Sequence, residues 1–214
     1  MEAESARRTK APLKIRAIVF DLGGVLFAEG KRVALERLSK HYAYRQDLIS
    51  KIFLSSQSLD LRRGLLTDEE FWSWAQQQLP SGYDTEVIKR EWYGGYLLDE
   101  DILGLIKKLK GKYRLVAFSG NIKSRIAFLE NKYGFRELFD VEIYSFDHHR
   151  TKPDREFTAI MVRECDCRPE EIIYIDDNEK YVLPAQELGV QVLLYSRGDI
   201  AKLKKQLRAL DVRY

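Results

Sequence analysis

Five short, predominantly apolar runs, three of them uninterrupted, constrain this chain more than any other feature. They are Ala17-Ile18-Val19-Phe20, Leu115-Val116-Ala117-Phe118, Val141 to Tyr144, Ile172-Ile173-Tyr174-Ile175 and Val190 to Tyr195. Each is short and rich in β-branched or aromatic side chains. A strand with one wet face alternates apolar and polar residues, so continuous apolarity implies cover on both faces, as in a parallel sheet. Helical stretches lie between the later runs: Asp101 to Lys110, Ile122 to Tyr133, Arg155 to Glu164 and Leu183 to Leu188. This alternation from about residue 100 onward predicts right-handed βαβ units and an α/β fold with a Rossmann-like, doubly wound parallel sheet.

The stretch from Glu29 to Leu98 breaks the alternation. It separates the first apolar run from the second and holds no strand-like run of similar strength. Val33 to His41, Gln46 to Leu54 and Asp68 to Leu79 read as helices. Thr67 followed by Glu70 is a capping-box pattern, in which the hydroxyl caps the helix and the carboxylate reaches back. Pro80-Ser81-Gly82 then ends that helix. About seventy residues is far beyond a usual βα connection, so an all-helical insertion over the carboxyl edge of the sheet is expected. The division is then a basic tail at 1–14, a core at 15–28 and 99–214, and a helical cap at 29–98.

Composition excludes more than it identifies. With 45% hydrophobic and 32% charged residues among 214, the chain can bury a core without staples. The 36 basic side chains nearly balance the 33 acidic ones, and a net charge of +3 gives no footprint for nucleic acid. No run of 18 apolar residues would span a membrane, and Met1 to Lys14 lacks the apolar centre of a secretory signal. The Arg7-Arg8-Thr9-Lys10 stretch reads as a solvated terminus. Cys165 and Cys167, one residue apart, lack the second pair of a structural zinc site and read as free thiols in a reducing, cytoplasmic compartment.

Ligands of an open α/β sheet bind beyond the carboxyl ends of its strands. The residues there are Asp21 after the first run, Ser119-Gly120-Asn121 after the second, Lys152 in Thr151-Lys152-Pro153-Asp154 after the third, and Asp176-Asp177 after the fourth. Carboxylates from two strands converging on one point suit a hard cation such as Mg²⁺. Gly23 and Gly24 permit close backbone approach, with main-chain N–H groups facing an anion. The Ser119 hydroxyl and the Gly120 N–H suit phosphate oxygens, and Lys152 supplies a point charge. Beside a metal and a lysine, Asp21 is a credible nucleophile towards phosphorus.

Together, Phe20-Asp21-Leu22-Gly23-Gly24-Val25, Phe118-Ser119, Lys152-Pro153 and Asp176-Asp177 resemble the four motifs of the haloacid dehalogenase superfamily, in order. The likeness extends over roughly residues 15–196. It is that of a subfamily I hydrolase with a helical C1-type cap, and it implies strand order 5-4-1-2-3. Asp21 is then nucleophile and metal ligand, and Ser119, Gly120, Asn121 and Lys152 bind phosphate. Asp177, with Asp176 beside it and the Gly23 carbonyl, holds Mg²⁺. The implied activity is Mg²⁺-dependent hydrolysis of a small phosphorylated metabolite, such as a sugar phosphate, through an aspartyl-phosphate. The alternative is a catalytically degenerate relative that binds a phosphorylated ligand or a protein without turnover. No nucleic acid or membrane partner is implied, and the chain is expected to be a monomer or homodimer.

Three positions depart from the family pattern. Gly23 stands where related phosphatases carry a second Asp that acts on the leaving group, help worth ~10²–10⁴-fold. Tyr181 stands where an Asp or Asn supports the metal shell. His149 replaces a common Gly, and His148 or His149 is a candidate stand-in acid, against the plainer reading of an exposed loop. The acidic pair argues for a metal and against carbon–halogen cleavage. Carbon–phosphorus cleavage would need a cap lysine, with only Lys31 and Lys51 on offer. Phe71, Trp72, Trp74, Trp92, Tyr93 and Tyr96 read mainly as cap core. The stretch from Trp92 to Tyr96 sits where a hinge or pocket rim would fall.

Overall fold

The computed structural model describes residues 14–214, so the basic tail, Lys14 apart, lies outside the described residues. Five parallel strands form one sheet: β1 (Ala17–Phe20), β2 (Arg114–Ser119), β3 (Val141–Tyr144), β4 (Ile172–Asp176) and β5 (Gln191–Leu194). Their order is β3-β2-β1-β4-β5, as the resemblance implies. Successive residues of each strand enter opposite cores. Ile18, Phe20, Leu115, Ala117, Ile173 and Ile175 face one side, whereas Ala17, Val19, Val116, Phe118, Ile172 and Tyr174 face the other. Over β1, β2 and β4 both faces are dry, which is why those runs are continuously apolar, whereas the edge strands β3 and β5 are partly exposed and admit Glu142 and Gln191.

The helices in chain order are α1 (Gly30–Tyr42), α2 (Gln46–Phe53), α3 (Ser56–Arg62), α4 (Asp68–Gln78), α5 (Thr85–Gly94), α6 (Glu100–Leu109), α7 (Lys123–Tyr133), α8 (Ser145–His148), α9 (Arg155–Glu164), α10 (Glu179–Glu187) and α11 (Ile200–Ala209). The first core is closed by Leu105 and Ile106 of α6, Ile126 and Leu129 of α7, and Leu203 and Leu207 of α11. The second is closed by Phe157 and Met161 of α9 and by Val182 and Ala185 of α10.

Between β1 and β2 the chain is helical throughout, as expected. Helices α1, α2, α4 and α5 share a core of their own, with Phe53 stacked on Trp92 at 4.1 Å between ring centroids. Ile122, at the head of α7, completes that core. The capping box is present: Thr67 Oγ1 accepts from the Glu70 N–H, and Glu70 Oε2 accepts from the Thr67 N–H at 2.8 Å. Entrance and exit of the insertion are paired, because the Ala28 N–H donates to Leu97 O and the Asp99 N–H to Leu26 O, both at 2.8 Å.

Several elements differ from their sequence expectation. Helix α5, capped by Asp84, takes in Trp92 and Tyr93, so the suspected hinge is largely helix. Helix α10 begins four residues before Leu183, since its first turn is polar and capped by Asn178. The sequence does not signal helices α3, α5, α8 and α11. Helices α3 and α8 are short, α5 has a mixed pattern, and α11 follows the last strand.

Candidate active site

The parallel register assembles the site. Phe20 pairs with Ile175 on one side and with Ala117 on the other. Asp21 and Asp176 therefore leave the sheet side by side, and Ser119 emerges on the neighbouring strand. The Asp21 N–H extends the ladder by one bond, to Ile175 O at 3.0 Å. Asp21 is buried, as are Ser119, Lys152 and Asp176.

Lys152 ties the strand ends together. Its Nζ lies 3.0 Å from Asp21 Oδ1 and 2.6 Å from Asp176 Oδ2, and it donates to the Tyr174 hydroxyl at 3.1 Å. Burial opposes its charge, but Asp176 and Asp21 together outweigh that and hold its pKa above the usual lysine value. Asp21 is pushed up to about 7, first by burial, which Lys152 only partly offsets, and further by Asp176. Asp177 is an exposed residue whose carboxyl lies within the cluster. Partial desolvation there, and then the charge of Asp176, push it up to about 6.

Asp21, Asp176 and Asp177 offer carboxylate oxygens within 4.8 Å of one another. Three carboxylates against one ammonium leave negative charge in excess. The backbone is cut away to hold them: Gly24 has φ +93°, and a Cβ there would lie 2.0 Å from Asp177 Oδ2. An all-oxygen, negatively charged cluster of this kind fits a hard divalent cation such as Mg²⁺.

The two acids of the pair are not equivalent. Asp176 is fully engaged: Oδ2 accepts from Lys152 and the Tyr174 hydroxyl, and Oδ1 from the Asn178 N–H at 2.8 Å. Asp177, not Asp176, borders a cavity of about 310 Å³, together with Asp21, Gly23, Ser119, Gly120 and Lys152. Gly120 allows Thr151 to cross closely, since a Cβ there would lie 2.6 Å from Thr151 Oγ1.

One backbone expectation needs correction. The Gly24 N–H donates to Phe27 O at 2.7 Å, so it is not free for an anion. Asn121 borders the cavity, but its N–H donates to Ser145 Oγ and its Oδ1 accepts from the Ile122 N–H and Arg125 Nε. Its remaining donor, Nδ2, lies 3.4 Å from Ser119 Oγ.

Neither candidate histidine borders the cavity. His149 is exposed, with Nδ1 2.9 Å from Arg63 O, and the His148 ring packs near Phe157. Tyr181 does border it, its ring centroid 5.1 Å from Lys152 Nζ. Lys31 also borders it but is paired with Glu29 at 3.4 Å, whereas exposed Lys51 does not.

The bordering residues that the sequence does not mark as site residues include Arg62, Arg125, Thr151, Trp92 and Tyr96, the last two legible only as cap core or rim. The Tyr96 ring lies 3.3 Å from where a Gly23 Cβ would stand, so the missing acid's place faces an aromatic edge. Arg125 had a legible sign: it shares the apolar helical face of Ile122, Ile126 and Leu129, an unusual position for an unpaired cation.

A parallel sheet carrying acids and a lysine at its carboxyl edge, beneath a helical insertion, defines a class of α/β hydrolases. The model of the haloacid dehalogenase-like hydrolases matches residues 15–189, and the chain belongs to that family. An uncharacterised protein of Dictyostelium discoideum is 40% identical, over 88% of this chain and 94% of its own. A sesquiterpene phosphatase of Aspergillus oryzae is 25% identical, over 82% of this chain and 87% of its own. Among solved structures, a haloacid dehalogenase family enzyme of Bacteroides thetaiotaomicron in complex with magnesium and inorganic phosphate is 23% identical. It superposes with a TM-score of 0.75, over 86% of this chain and 96% of that one.

Proposed function

We propose that this hydrolase is a Mg²⁺-dependent phosphatase that acts on a small phosphorylated metabolite through an aspartyl-phosphate on Asp21. The observation that carries this reading is the cluster itself: three carboxylates gathered beside one buried ammonium, of which Asp21 and Asp177 open with Ser119 onto one cavity. Asp21 and Asp177, with the Gly23 carbonyl, would hold the ion, which supplies charge stabilisation for a phosphoryl group. Asp176 is engaged with Lys152 and supports the set from behind. Residues 15–28 and 99–214 make the core in this reading, and 29–98 the C1-type cap that sets substrate choice. The free thiols Cys165 and Cys167 agree with a cytoplasmic protein. No helix among the described residues is long and apolar enough to cross a membrane.

The chemistry follows from the chain's own groups. The Asp21 carboxylate attacks phosphorus in line with the leaving oxygen. Lys152, already charged, offsets the phosphoryl oxygens, and the Ser119 hydroxyl and Gly120 N–H donate to them. Water then hydrolyses the acyl phosphate and returns Asp21. With Gly23 in place of an acid, no carboxylic acid two residues after Asp21 protonates the leaving oxygen, which favours substrates with good leaving groups.

The relation to a sesquiterpene phosphatase supports phosphate chemistry over carbon–halogen cleavage. The test is acetyl phosphate hydrolysis with Mg²⁺ and with chelator. Release should require the metal, and Asp21→Asn should abolish it while the circular dichroism spectrum is retained. Full activity in Asp21→Asn would refute the mechanism. No release from wild type over a panel of sugar, acyl and nucleoside phosphates would favour the non-catalytic binding relative.

A further inference from the structure

The cavity holds more positive charge than transfer of one phosphoryl group needs. Lys152 is matched by Asp21 and Asp176, and Lys31 by Glu29. Two cations bordering the cavity have no acidic partner among the described residues: Arg125, from the first turn of α7, and Arg62, the last residue of α3. The two lie near enough that the charge of Arg62 weighs against that of Arg125.

Arg125 is 1% exposed. Its Nε donates to Asn121 Oδ1 at 2.7 Å, but its Nη1 is buried with no hydrogen-bond partner. Its guanidinium carbon sits 4.4 Å from the Tyr96 ring centroid and 4.9 Å from that of Trp92. Such stacking partly offsets the cost of burial, yet a stacked guanidinium still requires acceptors for its N–H groups.

Six buried side-chain polar atoms lack a partner among the described residues. Three of them belong to residues bordering this one cavity: Arg125 Nη1, Arg62 Nε and Trp92 Nε1. All three are donors, and two carry charge. Leaving such a group unsatisfied is destabilising, and more so when it is charged. None of the three has an acceptor among the described residues, and an anionic oxygen group brought into the cavity by a ligand would supply one.

We infer that Arg125 and Arg62, with the Trp92 indole N–H, bind a second anionic group on the leaving-group side of the substrate. The natural substrate is then a small phosphate monoester that also carries a carboxylate or a second phosphate. This rests on the phosphatase reading above. Planar, bidentate recognition of either group is what a guanidinium does better than an ammonium. The cavity volume of about 310 Å³ keeps the whole ligand small.

The test compares kcat/KM, with saturating Mg²⁺, for 2-phosphoglycolate (carboxylate arm), fructose 1,6-bisphosphate (second-phosphate arm), glycerol 3-phosphate (neutral arm) and acetyl phosphate. Wild type should prefer one anionic arm to the neutral arm by about tenfold or more, mainly through KM. In Arg125→Met and Arg62→Met that preference should shrink by about tenfold, with partial return in Arg125→Lys. A clamp that merely braces the cap would lower all arms together and leave the preference intact, which would overturn the inference. So would a wild type that turns over acetyl phosphate but favours neither anionic arm, with the phosphatase reading left standing. Calorimetric binding of the same ligands to Asp21→Asn separates the two readings. Tight binding of an anionic arm that is lost on adding Arg125→Met supports the second-anion site even where no substrate is turned over.

Discussion

Asp176 and Asp177 are adjacent in the chain, yet backbone alternation sends their carboxylates to different work. Asp176 lies at the strand end with both oxygens engaged by Lys152, Tyr174 and a backbone N–H. Asp177 borders the cavity above the space that Gly24 leaves open. The sequence shows an acidic pair after an apolar run and places it at the right edge. It does not show which acid is consumed, because Tyr174 reads as one more strand aromatic. Substitution should separate them. Asp177→Asn is expected to weaken Mg²⁺ binding by at least about tenfold, read by calorimetry, with little change in melting temperature. Asp176→Asn removes a charged partner from buried Lys152 and should cost ~2 kcal/mol of stability, read by urea denaturation. Equal effects of the two variants on both measurements would contradict this division. At this scale the sequence makes Asp21, Ser119, Lys152 and Asp177 legible, since Ser119 ends a strand, Asp21 and Asp177 directly follow one, and Lys152 lies in the connection after β3. Arg125 and Tyr96 acquire meaning only from partners distant in sequence.

Among the elements, the cap shows where pattern reading reaches its limit. Strands β1, β2 and β4 are read well because burial on both faces leaves a continuous apolar run. Helices α1, α2 and α4 are read from their periodicity and one capping box. Helices α3 and α5 are short or mixed, and their reason for being helical is tertiary: Leu61, Ile88 and Trp92 fill the cap core. The crossing of α1 and α5 depends on two glycines. A Cβ on Gly30 would stand 1.9 Å from the Tyr96 ring, and one on Gly95 would stand 2.5 Å from Gly30 O. Tyr96 is thereby wedged between the head of α1, Gly23 and Arg125. Gly30→Ala should therefore displace Tyr96, lower the melting temperature and raise KM. Adding Tyr96→Ala removes the ring that the new methyl strikes, so the double variant should be more stable than the sum of the single effects predicts. A double-mutant cycle with coupling below ~0.5 kcal/mol would show that the two positions do not meet as described.

Across the whole molecule, the fold concentrates unfavourable charge at one edge of an otherwise well-satisfied core, and this sets its response to pH. Asp21 titrates at about 7 and Asp177 at about 6, both raised first by desolvation and then by neighbouring charge. In the unfolded chain both titrate near 3.8. Between about pH 4 and 7 these two sites therefore bind more protons in the folded than in the unfolded chain, so their contribution to the stability of the metal-free protein falls as pH rises through that window. A divalent cation binds the deprotonated cluster and competes with those protons. Its stabilisation, RT ln(1 + [L]/Kd), should be small at about pH 5 and fully expressed at about pH 8. The measurement is a melting temperature series from about pH 5 to 8, with chelator or with ~10 mM MgCl₂, on wild type and Asp21→Asn. In chelator the wild-type curve should fall with pH more steeply than that of the variant, which has no charge to create at position 21. With Mg²⁺ the wild-type shift should grow with pH. A chelator curve that rises with pH relative to Asp21→Asn, or a Mg²⁺ shift larger at about pH 5 than at about pH 8, would mean that the cluster is not the strained, cation-seeking site its burial and charge imply.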